Sequence, residues 1–583
     1  MEEAKNMQKT IERKNEKGAA MVMVLMMSML LLVASAGLLL EVSMNTANIT
    51  DATGEQQAYN AAESGIQSAI NVLRGNTPPS TLLDASKPAT DPANLINFRK
   101  AVTLSTSNLA GDSTSSARLS RWMSYNYTPS GSTRADRITL NSGYDPLTGY
   151  AFSVSIKDPD NTGNIISFNT AGKIYDPRDS TWKSSITYGT SPNTVTIAYT
   201  SNSVNNLNVS SGLANTNYGS FRISTSSTGA ILTEDLRFEI MVNMTAPFTL
   251  SRGMRGFIKA GTITSSSVGT VKLDFDSQAS HLMGSTITLD ADPLIPNTPS
   301  SSGGTTTITG NITQTEPYRV VITSTGYGPR GAKKILEATV QKNFFNGMTA
   351  PATLMLVGPS TGSIFEPGSS AVTEYSGDDV ASNVIIPPIG TTNDTNLALV
   401  FDRTYSGPPH PFNGTLIGTP ANVSSELPFW LGNTTNLNST MQSLKLTATA
   451  SGRYYASGVT PPNVGDNATA KGITYVDGDL VLTGSGGGLL IVTGKLTLHG
   501  NFNFNGLIIV TGAAGVDRRG GGNGVLQGNI VVAPYNPANT SLGFLPPIYD
   551  LSGGGDSGVV YNSSSVANGM VAVSNFALGV AEK

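Results

Sequence analysis

The chain offers few residues that could do chemistry, and the clearest candidate is a serine in a G-x-S-x-G string, Gly358-Pro359-Ser360-Thr361-Gly362. In serine hydrolases that string forms a sharp turn between a strand and a helix, which exposes the serine hydroxyl. The apolar run Ala352–Val357 predicts the strand, but Gly362-Ser363 and Pro367-Gly368 follow where the helix is needed. We therefore interpret Ser360 as a turn residue and expect no catalysis there.

Candidate metal ligands are equally sparse. There is no cysteine, and His281, His410 and His499 lie in separate contexts with no ligand spacing between them. The segment 158–163 resembles the start of a calcium loop, but Thr162 takes a ligand position and no bidentate glutamate follows at the required distance. The sequence therefore predicts no cofactor and no metal, with a weak calcium site at 158–163 as the alternative.

The composition indicates turn-rich β structure around these residues. Of 583 residues, 13% are charged, about half of the roughly 25% in an ordinary soluble domain, while 62 are glycine and 31 are proline. The formal net charge of −4 leaves no electrostatic footprint for nucleic acid. At about 150 residues per domain, the length predicts roughly two to four domains. We expect a structural or binding protein, not an enzyme.

The N-terminus has the pattern of a membrane anchor. Met1–Lys17 is polar, whereas the 23 residues Gly18–Leu40 carry no charge, and about 20 residues suffice to span a bilayer as a helix. Basic residues precede the span and Glu41 follows it, so the positive-inside rule places the N-terminus in the cytoplasm. The alternative is a secretory signal peptide cleaved near Ala34-Ser35-Ala36, but its apolar core would have only about 7 to 15 residues.

The helical pattern continues beyond this span, since the chain has no proline before Gly75 and keeps an apolar stripe. The stripe has spacings of 3, 4, 3 and 4 and consists of Tyr59, Ala62, Ile66, Ala69 and Leu73. Gly75 stands where a C-terminal cap belongs, and Pro78-Pro79 lies just beyond. The sequence thus predicts one helix over 19–75, transmembrane at 19–40. Ala19–Arg74 alone is 56 residues, about 84 Å long.

These N-terminal features resemble the start of type IV pilus minor pilins of the PilX type. The resemblance rests on a short basic leader ending in Gly18, two alanines and an apolar run directly after it, and Ala-Ala-Glu-Ser-Gly at 61–65. It covers about residues 13–75. It implies that 1–18 is a cytoplasmic leader, that a prepilin peptidase cuts between Gly18 and Ala19, and that the new N-terminus at Ala19 is methylated.

The resemblance also implies partners and a location. The protein would be a single-pass inner-membrane protein until it joins other minor pilins and the major pilin in an extracellular pilus. Major pilins carry glutamate as the fifth mature residue, where this chain has Met23. Because a buried amine of a neighbouring subunit then lacks a carboxylate partner, Met23 favours a tip or rare subunit. The alternative is an anchored envelope protein with no link to pili.

The ectodomain is predicted to be mainly β. Residues 76–120, rich in Ser, Thr, Pro and Ala, predict a linker, and short alternating strands follow. A hairpin with strands 318–323 and 334–341, and with its turn within 326–331, closes this region. It is similar to the closing strands of PilX-like domains. This resemblance implies that residues 121–345 form a pilin-like domain that contains an insertion. Residues 346–470 are strand-rich with no dominant pattern.

The end of the chain carries an internal repeat, because Val476, Val492 and Val510 recur at steps of 16 and 18 residues, each followed two residues later by glycine. Short β-rich coils at this period predict a parallel β-solenoid over 471–583, with an antiparallel sandwich as the alternative. A glycan-processing enzyme on such a scaffold would need clustered carboxylates. The repeats offer only three, namely Asp477, Asp479 and Asp517.

The sequence therefore predicts an α+β fold, in which a long pilin-type helix precedes a mainly-β ectodomain that ends in a solenoid-like region. The expected function is that of a minor pilin at or near the tip of a type IV pilus, where it helps to initiate assembly and displays a surface β domain. The alternative is a membrane-anchored adhesin or glycan-binding surface protein outside any pilus.

Overall fold

The computed structural model of the protein describes residues 2–73, 98–99, 101–102, 138–139, 151–160, 164–226, 229–282, 285–300, 302–317, 319–341, 350–382, 384–405, 412–570 and 576–582. The predicted linker 76–120 lies outside the described residues except at 98–99 and 101–102. The predicted helix cap at Gly75 and most of 121–150 also lie outside them.

A single helix, α1 (Glu2–Leu73), opens the chain and runs for 72 residues. It begins before Ala19, so residues 2–18 of the predicted leader are helical and continuous with the predicted helix. Its last third is amphipathic, as the apolar stripe predicts. The buried positions are mostly small and follow the spacing of one helix face: Gly54, Ala58, Ala61, Ala62, Gly65, Ile66, Ala69, Ile70, Val72 and Leu73.

That face of α1 packs on a five-stranded antiparallel sheet, which we call the helix sheet. Its strands, numbered along the whole chain and given in spatial order, are β1 (Ile138–Thr139), β2 (Ala151–Lys157), β17 (Arg319–Tyr327), β18 (Lys333–Gln341) and β33 (Phe576–Glu582). Ile66 and Ile70 of the helix meet Phe152, Ile322 and Val340 of the sheet in one apolar core. The long segments between β2 and β17 and between β18 and β33 form two further β units.

The predicted hairpin is present, but its first strand is longer than predicted. β17 reaches Tyr327, which pairs with Lys333, so Gly326 belongs to the strand and not to the turn. The turn itself is Gly328–Ala332, closed by a hydrogen bond of 2.8 Å from the Gly328 N–H to the Ala332 carbonyl. Gly326 misled the prediction because its lack of a side chain serves contact with α1, as described below, and not chain reversal.

The first inserted unit is an antiparallel β-sandwich. Its strands are β3 (Ile165–Asp176), β4 (Thr181–Lys183), β5 (Ser185–Thr190), β6 (Asn193–Thr200), β7 (Ser203–Asn208), β8 (Leu213–Thr225), β9 (Ala230–Leu232), β10 (Leu236–Ala246), β11 (Leu250–Ile258), β12 (Gly261–Ile263), β13 (Leu273–Phe275), β14 (Ala279–Leu282), β15 (Ser285–Leu289) and β16 (Thr305–Thr313). One sheet has the order β13-β11-β10-β3-β4, with β7 also paired to β3, and the other has the order β14-β15-β16-β8-β6-β5. Alternating residues such as Phe238, Ile240 and Val242 fill the core between them.

The second inserted unit is a fourteen-stranded sheet in which the described pairings are all parallel, and we call it the parallel stack. Its strands are β19 (Leu354–Leu356), β20 (Ile364–Glu366), β21 (Glu374–Ser376), β22 (Ile389–Thr391), β23 (Thr415–Ile417), β24 (Ala421–Asn422), β25 (Tyr454–Tyr455), β26 (Ile473–Val476), β27 (Leu480–Val492), β28 (Leu496–Val510), β29 (Val516–Arg519), β30 (Asn523–Val532), β31 (Ile548–Asp550) and β32 (Asp556–Val560). The helices α2 (Asp394–Tyr405), α3 (Thr434–Ala450) and α4 (Ser563–Met570) accompany it.

The repeated valines stand in one column, as the repeat predicts. Val476 pairs with Val492, Val492 with Val510, and Val510 with Val532, each in parallel register. The column continues through Leu356, which pairs with Val532. The segment 346–470, whose sequence showed no dominant pattern, therefore supplies further rungs of the same stack. The α+β fold class and the parallel pairing of the repeats are therefore confirmed.

The rungs do not stack in chain order. β30 lies between β28 on one side and β19 on the other, although β19 precedes it by more than 170 residues. Successive residues along each strand of this column face opposite sides of the sheet. Val492 lies in the interior core, whereas Ile491 faces Leu437 and Met441 of α3 and Val566 of α4. Both faces of this column are therefore buried, which explains its near-continuous apolar runs.

The last strand corrects the predicted extent of the solenoid-like region, 471–583. β33 runs antiparallel to β18 in the helix sheet, with Leu336 opposite Glu582. It therefore does not belong to the parallel stack. The open edge of β18 leaves backbone groups that a returning strand can satisfy. The repeat period carries no information about that distant edge.

Candidate functional site: the exposed apolar helix

A long segment of α1 from Gly18 onward projects from the protein without any cover. Residues 18–53 are all exposed, with Met21 at 72% and Leu32 at 71%. The helix from Gly18 includes an 18-residue window with mean hydropathy of 2.5 and no buried residue. Exposed apolar surface of this extent is costly in water and calls for an apolar environment. This segment is a candidate membrane anchor.

Several hydroxyl side chains on this segment form hydrogen bonds within the helix. The hydroxyl of Ser28 donates to the carbonyl of Leu25 at 2.9 Å, and that of Thr46 donates to Val42 at 2.7 Å. Thr50 bonds the residue four before it in the same way, also at 2.7 Å. A hydroxyl bonded to its own backbone costs less to bury among apolar groups than a free one. The segment is thus suited to a lipid or protein surrounding.

The predicted cleavage residues lie on the exposed surface of α1. Gly18 and Ala19 are both exposed, and a Cβ placed on Gly18 would meet nothing within 4 Å. Neighbouring packing in the structure therefore does not require a glycine there, although glycine inside a helix costs about 1 kcal/mol relative to alanine. Met23, at the fifth position after Gly18, is also exposed.

Where α1 enters the ectodomain, its backbone lies directly on β17. A Cβ on Gly326 would stand 1.9 Å from the Ala58 carbonyl oxygen, and one on Gly328 would stand 2.4 Å from the Gly54 carbonyl oxygen. From the helix side, a Cβ on Gly65 would collide with Phe152 at 2.8 Å. Small residues on both partners allow this approach. The resemblance singled out 61–65 for its sequence, but the role of Gly326 was missed.

Ion pairs surround this junction. Arg330 at the tip of the β17–β18 turn lies 3.4 Å from Asp51, and Lys334 lies 3.4 Å from Glu55 and 3.0 Å from Glu582. These groups are partly or largely exposed, so each pair contributes about 0 to 1 kcal/mol. Lys334 connects the N-terminal helix with the last strand of the chain.

The serine candidate lies in a turn, as predicted. Ser360 follows β19, its carbonyl accepts the Ser363 N–H at 3.1 Å, and strand β20 comes next instead of a helix. A Cβ on Gly358 would stand 2.2 Å from the Leu545 carbonyl oxygen. Close packing against this backbone therefore accounts for a glycine at position 358. The geometry of a nucleophile elbow is therefore not formed.

The carboxylates of the proposed calcium segment face arginines. Asp158 lies 3.7 Å from Arg99, and Asp160 lies 2.5 Å from Arg319, which lowers the pKa of Asp160 through its hydrogen bond. Within the described ranges, no group of three or more His, Asp or Glu side chains could hold a metal ion. His281 bonds Thr286 at 3.1 Å, and His410 lies outside these ranges.

The parallel stack brings together three carboxylates that the sequence did not associate. Asp517 pairs in register with Asp550, and Asp550 with Glu366, so these residues occupy successive rungs. Two of them already have cationic partners, because Lys495 lies 2.5 Å from Asp517 and Arg403 lies 3.1 Å from Glu366. Glu366 and Asp550 were missed since they lie outside the repeats that revealed the stack.

The repeat carboxylate Asp477 is held by three side chains. It accepts hydrogen bonds from Lys445 at 2.7 Å, Tyr454 at 3.0 Å and Thr493 at 2.9 Å. The hydrogen bond from Lys445 contributes most to lowering its pKa. Asp477 therefore ties α3 and β25 to the rungs of the stack.

A buried charge cluster joins the sandwich to the parallel stack. Arg255 of β11 lies 2.6 Å from Glu239 and contacts Glu426 of the stack unit more closely still. Burial opposes the charged guanidinium, but Glu426 and Glu239 outweigh it and hold the pKa of Arg255 above its ordinary value. The adjoining cavity, lined by Asp276 and His281 among others, has a volume of about 30 Å³. That volume holds only a few water molecules.

Comparison with family models, with curated proteins and with solved structures finds no match to this chain. The resemblance to PilX-type pilins accordingly depends on residues 13–75 and the hairpin, and the exposed apolar part of α1 with its seat on the helix sheet is the candidate functional site.

Proposed function

We propose that the protein is a PilX-type minor pilin, incorporated at or near the tip of a type IV pilus, where it helps to initiate assembly and displays its two β units. The supporting observation is the division of α1 into a wholly exposed part, 18–53, which is apolar over 18–40, and a later part whose backbone lies against β17. A subunit that leaves the membrane for a filament needs an exposed apolar helix and a rigid connection between that helix and its ectodomain.

Processing belongs to the same proposal. A prepilin peptidase cuts between Gly18 and Ala19, and Ala19 becomes the methylated N-terminus of the mature subunit. The mature protein is anchored in the inner membrane by 19–40 before assembly, and its ectodomain is extracellular in the pilus. Because a peptidase that requires a small residue rejects aspartate, Gly18→Asp should leave the leader attached.

The tip position follows from Met23 and from the size of the ectodomain. An exposed methionine provides no carboxylate for the amine of a neighbouring subunit, and an ectodomain of about 500 residues would crowd a filament wall. The parallel stack is of the solenoid type, a scaffold that can present an extended surface. We assign the protein a structural role with no enzymatic activity.

Quantitative mass spectrometry of sheared pili tests this function. We expect the chain to be present in the pilus fraction at a small fraction of the abundance of the major pilin. Equimolar abundance would contradict the tip role. Complete absence from pili, with the protein retained in the membrane, would favour the alternative, an anchored adhesin or glycan-binding protein.

A further inference from the structure

A cleft lies where the outer face of the sandwich meets the parallel stack. The sandwich contributes Lys173, Trp182 and Arg237 to its walls, and the stack unit contributes Leu397 and Asn422. The enclosed part has a volume of only about 10 Å³, enough for about one water molecule. A ligand of this cleft would therefore lie across its mouth, against the groups that line the rim.

Arg237 is the unusual group of the cleft. Two aromatic rings pack against its guanidinium, Tyr175 with its centroid at 4.0 Å and Phe401 with its centroid at 3.8 Å. Among the residues that the structure describes, no carboxylate lies within ion-pair distance of Arg237. Burial is the main cause that lowers its pKa. Tyr175 also forms a side-chain hydrogen bond with Arg237. The other N–H groups remain to receive an anion, and a carboxylate fits a guanidinium in a bidentate manner.

The other polar groups of the cleft are already committed. Lys173 lies 2.7 Å from Glu239, and the side-chain amide of Asn422 donates to Asp394 at 2.8 Å while its oxygen accepts the Ser424 N–H at 3.1 Å. Arg237 is therefore the positive charge in this cleft that a ligand could neutralise without breaking an existing ion pair.

Trp182 provides an apolar platform beside Arg237. It pairs with Tyr175 across β3 and β4, and the two ring centroids lie 5.4 Å apart. Because Tyr175 also contacts Arg237, the indole, the phenol and the guanidinium form one continuous surface. Lys173 lies over the indole with its Nζ 4.7 Å from the ring centroid, and Trp182 is otherwise partly exposed. An indole offers a flat apolar surface with a polar edge, which suits the apolar face of a sugar ring.

We propose that this cleft binds an acidic saccharide, with the carboxylate on Arg237 and the sugar ring on Trp182. A few fixed polar groups beside aromatic surface are the usual elements of a ligand site. The proposal deepens the proposed function, since it rests on an ectodomain displayed outside the cell, and it names the chemistry of what that ectodomain contacts.

Binding of the full-length protein in detergent micelles to immobilised oligosaccharides tests the proposal. The probes are galacturonate oligomers, glucuronate oligomers and sialyllactose, each beside a neutral counterpart, namely the methyl ester or lactose. We expect binding to at least one acidic probe and a loss of affinity of about tenfold or more in Arg237→Met and in Trp182→Ala. Arg222→Met, at an exposed arginine on the other sheet of the sandwich, should leave binding unchanged.

Thermal unfolding of each variant confirms its fold, and Trp182→Phe replaces Trp182→Ala if the alanine variant unfolds. Three outcomes would overturn the proposal: no preference of the wild type for an acidic probe, binding that survives Arg237→Met, or inorganic sulfate bound as tightly as the saccharide. The two proposals can fail independently of each other. Gly18→Asp should block processing of the leader while the cleft still binds its acidic probe, so a failure of the pilus function leaves the binding result unaffected.

Discussion

Gly326 of β17 lies directly against the backbone of α1, so that a Cβ at this position would stand 1.9 Å from the Ala58 carbonyl oxygen and 2.4 Å from the Ala62 nitrogen. Both contacting atoms belong to helix backbone and cannot move aside as a side chain can. Gly326→Ala must therefore lift the helix from the sheet. We expect a loss of stability at this joint of about 1 to 3 kcal/mol or more.

Hydrogen exchange of helix residues 58–73 in the detergent-solubilised protein measures that loss. Gly521→Ala is the matched control, because a Cβ at Gly521 would meet nothing within 4 Å. Faster exchange in Gly326→Ala alone is the expected result. Equal protection in Gly326→Ala and the wild type would show that the helix is not seated on β17 as described.

The valine column allows a matched comparison within one strand. Val492 of β27 is fully buried, whereas Val481 of the same strand is 57% exposed. Val492→Asp places an unpaired carboxylate between two rungs, so we expect it to destabilise the stack by several kcal/mol, about 2 to 7. Val481→Asp should change stability by about 0.5 kcal/mol or less.

Urea unfolding of the full-length chain is the right measurement, since rungs from 354–422 and 454–560 stack together and a C-terminal fragment would lack the six strands at 354–422. Lys495 is unsuitable as a surface control because it pairs with Asp517 at 2.5 Å. Equal sensitivity of Val492→Asp and Val481→Asp would argue against the parallel stack.

The buried pair of Arg255 and Glu426 should hold the sandwich on the parallel stack. Glu426→Gln leaves Arg255 with Glu239 alone, and loss of one partner of a buried ion pair costs about 3 to 5 kcal/mol. We expect faster hydrogen exchange in β11 and at 424–426. Asp235→Asn, which removes an exposed partner of Lys259, should have almost no effect. Unchanged hydrogen exchange in Glu426→Gln would show that this ion pair does not hold the sandwich on the parallel stack.

Asp176 should make the sandwich sensitive to acid. Hydrogen bonds from Arg178, first of all, and from Lys183 lower the pKa of the buried carboxyl well below its ordinary value of 3.8. A lowered folded-state pKa means that the stabilisation is complete well above pH 4 and is lost as pH falls below it. Asp176→Asn should therefore reduce stability by about 1.5 to 3 kcal/mol at pH 7, with the difference shrinking towards pH 2. A difference independent of pH would contradict this assignment.

The parts of the fold that the sequence predicted are those with local periodicity. The stripe from Tyr59 to Leu73 shows itself within a few helical turns, and the valines at 476, 492 and 510 repeat within 35 residues. Both patterns arise because one face of each element is buried, and burial imposes a period that is visible in the sequence.

The parts that were missed depend on contacts between distant residues. Leu354 pairs with Ile530 in parallel register, and Leu336 pairs with Glu582 in antiparallel register. No local sequence pattern identifies either partner. Gly326 looked like a turn residue because a glycine needed for close approach and one needed for a turn are identical in sequence. The carboxylates at 366 and 550 became neighbours only through the same long-range stacking.

The N-terminus of the membrane-associated protein tests the central claim most directly. Intact-mass analysis together with N-terminal sequencing of the protein from its native membrane determines where the mature chain begins. The proposed pilin function predicts a chain that starts at Ala19 with a methylated amine, and an unprocessed chain in Gly18→Asp. A mature chain that begins after Ala36, or one that keeps residues 1–18 in cells with an active prepilin peptidase, would contradict it.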